Sequence, residues 1–261
     1  MEKLVIIPTY NEKENVESII AAVIGLQKGY HVLIIDDGSP DGTAGIVRSL
    51  FEKYPNQLFL EERQGKLGLG TAYIHGFRWA LSKGYQFIFE MDADFSHNPK
   101  DLESLYLACK NGAGVAVGSR YVVGGAVANW PTNRIALSKG ASLYTRIITW
   151  MPVMDPTAGF VCYRKEVLET INLSGITFVG YAFQIEMKFA AWKLGFRIVE
   201  VPITFIDRQL GDSKMNKGIV KEGILGVLKL RWMSIFKNYR TKVKNAYPNS
   251  TVSYTHPEVL L

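Results

Sequence analysis

The stretch Phe87-Ile88-Phe89-Glu90-Met91-Asp92-Ala93-Asp94-Phe95-Ser96-His97-Asn98-Pro99 decides the fold. Its first half is apolar and aromatic, as in a strand buried on both faces, and it runs directly into two carboxylates one residue apart. Alternate side chains of an extended segment point the same way, so Asp92 and Asp94 are expected to face one point at the carboxyl end of a strand. Open α/β sheets bind their ligands along that edge. Two hard oxygen donors there suit Mg2+ or Mn2+, with substrate phosphate oxygens and water completing the coordination. Read alone, the triplet fits equally well two carboxylates that cap the turn and helix opened by Asn98-Pro99-Lys100.

Outward from this stretch, strands and helices alternate. Strands are expected at Lys3 to Pro8, His31 to Asp36, Leu58 to Glu61 and Val115 to Gly118, with helices at about Asn15 to Gly25, from Thr43 to about Lys53, from Gly70 to near Gly84 and from Lys100 to about Asn111. That alternation predicts an α/β domain, a mostly parallel, doubly wound sheet with helices on both faces. The rhythm changes after Arg120. Tyr121 to Thr132 reads as an irregular, mobile loop, followed by a helix from about Arg134 to Trp150 and a strand through Tyr163. A helix from Ala182 to Leu194 and one strand from Arg197 to Phe205 close the domain. The expected division is a catalytic domain over 1–217, a basic amphipathic helix over 218–240 and a flexible tail over 241–261.

A chain of 261 residues, 48% hydrophobic, has ample material for one large core. Cys109 and Cys162 are too few for a disulfide framework or a cysteine-rich metal site and fit a reducing cytosol. No signal-peptide pattern opens the chain, and no charge-free apolar run reaches the roughly 18 residues of a spanning helix. A soluble or peripheral protein is expected. The net charge of +6 belongs to one segment: Arg208 to Lys244 holds ten Lys or Arg against Asp212 and Glu222, an excess of eight, which leaves the remainder at minus two. Such a patch fits anionic lipid, phosphate or nucleic acid.

Pro8, Tyr10 and Glu12 follow the first strand, Asp36 ends the second, and Asp92 and Asp94 follow the fourth, so a parallel sheet brings all of them to one edge. Carboxylates, an aromatic ring and a metal pair together describe a nucleotide site. The loop Gly65-Lys66-Leu67-Gly68-Leu69-Gly70 lacks the spacing of a Walker phosphate loop. It suits either close backbone approach to a ligand or a plain strand-to-helix connection.

Pro8-Thr9-Tyr10-Asn11-Glu12, Asp36-Asp37-Gly38-Ser39-Pro40-Asp41-Gly42-Thr43, Asp92-Ala93-Asp94, Gly118-Ser119-Arg120-Tyr121 and Gly180-Tyr181-Ala182-Phe183-Gln184-Ile185-Glu186 occur in this order. In that order they resemble the family 2 glycosyltransferases of the GT-A fold and, more narrowly, the polyprenyl-phosphate or dolichyl-phosphate mannose synthases. The likeness spans about Lys3 to Lys214. It implies that Pro8, Tyr10, Glu12, Ile34 and Asp36 hold the nucleoside of GDP-mannose, while Asp92, Ala93 and Asp94 meet its diphosphate and the Mg2+ or Mn2+ ion. The third metal ligand falls at Ser96, a neutral donor shorter than the glutamine of some relatives, so that contact is expected to run through water. The resemblance assigns Arg120, Arg134 and Ser138 to the acceptor phosphate and Arg208 and Lys214 to the donor diphosphate, with Asp94 and Arg120 nearest the reaction. Arginine's paired donors suit phosphate, and a loop carrying Arg208 and Lys214 can close on a leaving diphosphate.

The implied acceptor, a polyprenyl phosphate, is already largely anionic at neutral pH, its second pKa being about 6, so the resemblance calls for no protein base. His75 and His97 are then expected to be structural, and Asp155 positional. Direct displacement inverts the anomeric carbon. A sister activity with a UDP-sugar, and a non-catalytic lipid- or nucleic-acid-binding module, are the competing readings. The expected partners are GDP-mannose, the lipid phosphate, an anionic membrane on its cytosolic face met through Lys221 to Arg240, and a membrane-anchored protein, but not nucleic acid.

Overall fold

The computed structural model describes residues 1–180, 182–208 and 218–241. A seven-stranded sheet runs through its centre in the order β3 (Leu58–Glu62), β2 (Tyr30–Asp36), β1 (Lys3–Thr9), β4 (Phe87–Glu90), β7 (Val161–Arg164), β5 (Val115–Ser119), β8 (Ile198–Pro202). Strands β3, β2, β1 and β4 are mutually parallel, as are β5 and β8. The departure from the parallel pattern is β7, which is inserted antiparallel between β4 and β5.

Strand β1 shows why the sheet is covered on both faces. Leu4 and Ile6 enter one core, while Val5 and Ile7 enter the other, the two-residue period of a strand with no solvent side. Over the Val5 face lie α1 (Val16–Ile24), α2 (Thr43–Ser49) and α4 (Leu102–Lys110). Over the Leu4 face lie α3 (Leu69–Ser82), α6 (Lys165–Thr170) and α7 (Ala182–Lys193), with α5 (Thr132–Thr149) and α8 (Gly218–Met233) at its margin. Gly70 lets α3 approach α7, because a Cβ there would stand 2.7 Å from the Phe183 ring.

Three expectations change. Arg197 to Phe205 is not one strand: Pro202 ends β8, and β9 (Thr204–Ile206) leaves the main sheet. Its partner is β6 (Ala126–Ala128), which lies inside the segment expected to be an irregular loop. Residues 218–240 are not set apart from the rest. Val227, Leu230 and Tyr239 join the core on the Leu4 face, the Asn172 N–H donates to the Tyr239 carbonyl at 2.8 Å, and Lys237 pairs with buried Glu186 at 2.5 Å. Lys214 and residues 242–261 lie outside the described residues.

Candidate active site

Register places the carboxyl ends of three strands side by side: Thr9 opposite Asp36, and Ile6 opposite Glu90. Beyond those ends lies a cavity of about 370 Å³. Pro8, Tyr10 and Glu12 line it from the end of β1, Asp92, Ala93, Asp94 and Ser96 from the end of β4 with Arg208 beside Asp94, and Arg120 and Arg134 from the far side. Ile34 and Asp36 do not line it. Ile34 is a core residue, and Asp36 is buried with its carboxylate accepting from Thr9 Oγ1 (2.9 Å), the Ser39 N–H (2.9 Å) and Ser39 Oγ (2.6 Å). Asp37 lines the cavity instead, fixed to Arg63 at 2.6 Å.

The turn-rich segment after β2 stitches loops together. The backbone N–H groups of Asn11, Glu12 and Lys13 donate to Ser39, Thr43 and Asp41 at 2.9, 3.1 and 3.1 Å. The β1 loop is therefore immobilised before any ligand arrives, with Lys66 5.0 Å from the Tyr10 ring centroid across the cavity mouth.

At the acidic pair the chain turns sharply. Phe95 takes φ +59°, a left-handed conformation costly for a bulky residue, and the turn lets the Ser96 N–H reach Asp94 Oδ1 at 3.0 Å. Asp94 Oδ2 pairs with Arg208 at 2.6 Å. Burial alone pushes the Asp94 carboxyl up; Ser96 and the Arg208 guanidinium outweigh it and hold the pKa below the ordinary value. Asp92 is more open, its side chain 41% exposed against 10% for Asp94. Its backbone N–H donates to His97 Nδ1 at 3.2 Å, which puts the imidazole proton on Nε2. His97 lines the cavity but is buried, stacked 4.9 Å from Phe160, and burial together with Arg120 lowers its pKa to about 4, which favours the neutral imidazole.

Hard oxygens from Asp92 and Asp94, with the buried Ser96 Oγ beside them, fit Mg2+ or Mn2+. No group of three His, Cys, Asp or Glu among the described residues could hold a metal alone. The remaining positions would fall to substrate and water, as is usual for Mg2+.

The opposite wall is cationic. Arg120 is gripped by Asp155 through Nε (2.7 Å) and Nη2 (2.6 Å), and Nη2 also reaches Thr157 Oγ1 (2.9 Å). Asp155 is wholly buried and committed to this fork, which makes it a positioning group. Arg134 lies 3.9 Å from the Trp130 ring centroid and pairs with Asp207 at 2.9 Å. Ser138 does not line the cavity; its Oγ accepts from the Tyr121 hydroxyl at 2.7 Å.

Beneath the floor lies a group the sequence did not reveal. Glu90 and Lys188 are fully buried on β4 and α7. Lys188 Nζ donates to the Ala158 carbonyl (2.6 Å), the Gln184 carbonyl (3.1 Å) and Gln184 Oε1 (3.2 Å). Burial pushes Glu90 up to about 8 and Lys188 down to about 8, each moderated by the other.

Comparison with known proteins agrees with this geometry. The profile for glycosyl transferase family 2 matches residues 4–171. Polyprenol monophosphomannose synthase of Mycolicibacterium smegmatis is 47% identical over 86% of this chain and 84% of that protein. Undecaprenyl-phosphate mannosyltransferase of Micrococcus luteus is 45% identical over 89% of this chain and 94% of its own. Among solved structures, mannosyl-3-phosphoglycerate synthase from Rubrobacter xylanophilus superimposes with a TM-score of 0.65 over 93% of this chain and 78% of that one, at 17% identity, a likeness of fold.

Proposed function

This chain belongs to glycosyl transferase family 2, and from that premise we propose that it transfers mannose from GDP-mannose to a polyprenyl (dolichyl) phosphate, leaving polyprenyl β-mannosyl phosphate and GDP. One observation carries the reading: a single cavity gathers Asp92 and Asp94 on the sheet edge, Arg208 beside them and Arg120 and Arg134 opposite, the charge pattern needed by two phosphate-bearing substrates that meet. The names of the relatives at 45% and 47% identity support mannose as the sugar and a lipid phosphate as the acceptor.

Pro8, Tyr10 and Glu12 form the nucleoside end of the cavity. Asp92, Asp94 and Ser96 would hold Mg2+ or Mn2+, which when bound supplies charge stabilisation to the departing diphosphate. Arg208, already at the metal pair, shares that anionic load, and Lys214 belongs to the same role. Arg120 and Arg134, with Ser138 behind Tyr121, orient the acceptor. A phosphate oxygen of the acceptor attacks the anomeric carbon, the bond from that carbon to the diphosphate breaks, and GDP carries away the electron pair. A phosphate with a second pKa of about 6 needs no proton removed, which accords with Asp155 being spent on Arg120 and His97 being neutral and buried.

The acceptor's tail demands a lipid surface. No helix among the described residues is long and apolar enough to cross a membrane. Exposed instead are Leu225, Leu228, Trp232, Ile235 and Phe236 along and just after α8, on the side away from buried Val227 and Leu230. This face, with its cations, rests on an anionic membrane in the peripheral, cytosolic arrangement proposed here. A transfer assay with GDP-mannose, UDP-glucose and UDP-N-acetylglucosamine against polyprenyl phosphate tests the proposal. Transfer from GDP-mannose alone, giving a β-linked product by NMR, is expected, and preferential transfer from a UDP-sugar contradicts it.

A further inference from the structure

A second cavity, of about 420 Å³, lies on the other side of Arg120, between α5 and the chain around Tyr121. Lys139, Ser142, Leu143 and Arg146 line it from one face of α5, a spacing of three, four and seven residues. No acidic side chain lines it, and neither Lys139 nor Arg146 has a carboxylate partner among the described residues. Two polar atoms in its wall are buried without a hydrogen-bond partner, Ser142 Oγ and Arg146 Nε. The Ser142 hydroxyl is conspicuous because its neighbours behave otherwise. Thr145 and Thr149 return their hydroxyl protons to the carbonyls of Ala141 and Thr145 at 2.8 and 2.6 Å, whereas Ser142, only 3% exposed, presents its hydroxyl to the cavity wall unspent. Buried donors beside unpaired cations describe an anion site.

The surroundings identify what carries the anion. Beside the polar stripe, Leu143, Ile147 and Trp150 form an exposed apolar stripe, Trp150 being 72% exposed with the Arg231 guanidinium 4.6 Å from its ring centroid. A free phosphate has no use for such a stripe, whereas acyl chains do. Asp92, Asp94 and Arg208 do not line this cavity and Arg120 lines both, so a phosphate held there lies beside the proposed acceptor arginine and not among the metal carboxylates. We propose that this cavity binds the phosphate of an anionic phospholipid, with its acyl chains along Leu143, Ile147 and Trp150. It is a fixed lipid site that docks α5 on the bilayer beside the acceptor. The inference rests on the membrane reading above.

The test measures co-sedimentation of the full chain with phosphatidylcholine vesicles with and without phosphatidylglycerol, for the parent, Lys139→Gln/Arg146→Gln and Ser142→Leu, which fills the cavity without changing charge. Turnover is measured in parallel with a short-chain, water-soluble prenyl phosphate in the absence of vesicles. Binding to phosphatidylglycerol vesicles is expected to fall about thirtyfold in the charge variant, as loss of two cations near the surface implies. It should fall severalfold in Ser142→Leu, with turnover on the soluble acceptor unchanged in both. Parent-like vesicle binding by the charge variant overturns the site, as does loss in that variant but not in Ser142→Leu, which would mean diffuse charge. Parallel loss of turnover on the soluble acceptor overturns it in favour of an acceptor subsite. Should Ser142→Leu not fold, as judged by its thermal melt, Ser142→Val takes its place. Failure of the parent to bind either vesicle removes the membrane reading itself, a result distinct from parent-like binding by the variants.

Discussion

The two walls of the cavity, one proposed above for the donor and one for the acceptor, are built by different means. The donor wall is the edge of the sheet: β1, β2 and β4 end together, their loops are tied by side-chain to backbone hydrogen bonds, and Asp94 is fixed by Ser96 and Arg208. The acceptor wall is assembled from α5, β6 and β9, around Arg134, Trp130 and Asp207, and its outer surface carries exposed Leu137, Leu143 and Ile147. A nucleotide diphosphate in water can be met by a wall set rigidly in advance. Under the proposed function, a phosphate drawn from a bilayer needs a wall that also faces lipid, and that reading accounts for the apolar side chains outside the core.

The largest expected effect lies under the donor wall. Lys188→Met removes a buried donor and strands the acceptors at the Ala158 carbonyl, the Gln184 carbonyl and Gln184 Oε1, so it should destabilise the fold by about 3 kcal/mol in urea unfolding, the order expected for buried acceptors left unsatisfied. No comparable loss is expected from Arg134→Ala on the half-exposed acceptor wall. The pH dependence carries the same signature. From pH 4.5 to about 8 the unfolded Glu90 carboxyl loses its proton while the folded one keeps it, so this group makes stability fall as pH rises through that window. Glu90→Gln should remove that slope from a Tm-against-pH profile, and an unchanged slope would mean that Glu90 is not the group responsible.

Next in size are the carboxylates themselves. Asp92→Ala or Asp94→Ala should lower turnover by at least about a hundredfold, the usual cost of lost charge stabilisation in the transition state. EDTA should abolish the parent's activity, and Mg2+ or Mn2+ should restore it. Full rate in EDTA would remove the metal assignment. A smaller effect is expected at the lipid face: Trp232→Ser/Phe236→Ser should weaken vesicle binding severalfold and leave the melting temperature nearly unchanged, because both side chains are exposed.

The same contrast governs what could be read from sequence. The sheet edge proposed for the donor was legible as structure because its signals are local: an apolar run that ends in Asp92 and Asp94, and turn formers after each strand. Locality also misled, for Asp36 stands at the right strand end yet its carboxylate faces Thr9 and Ser39, and Ile34 faces the core. The acceptor wall depends on pairings distant in sequence, such as β6 with β9 and Arg134 with Asp207, which no periodicity announces. Strand β7 was visible as a strand, but its direction depends on where the chain re-enters the sheet after α5. Lys188 looked like an ordinary helix lysine; only the burial of α7 from Ala182 to Ala191 brings its charge to bear on Glu90.

The central claim, that donor and acceptor are held by separate walls, is tested most directly by calorimetric titration of GDP-mannose with Mg2+ into the parent, Asp94→Ala and Arg134→Ala, beside the apparent KM of each for polyprenyl phosphate. Arg134→Ala should bind GDP-mannose as the parent does while its KM for the lipid phosphate rises about tenfold, the order expected for one lost charge-assisted contact. Asp94→Ala should lose most donor binding. Loss of GDP-mannose binding in Arg134→Ala, with its lipid KM unchanged, would contradict the two-wall account.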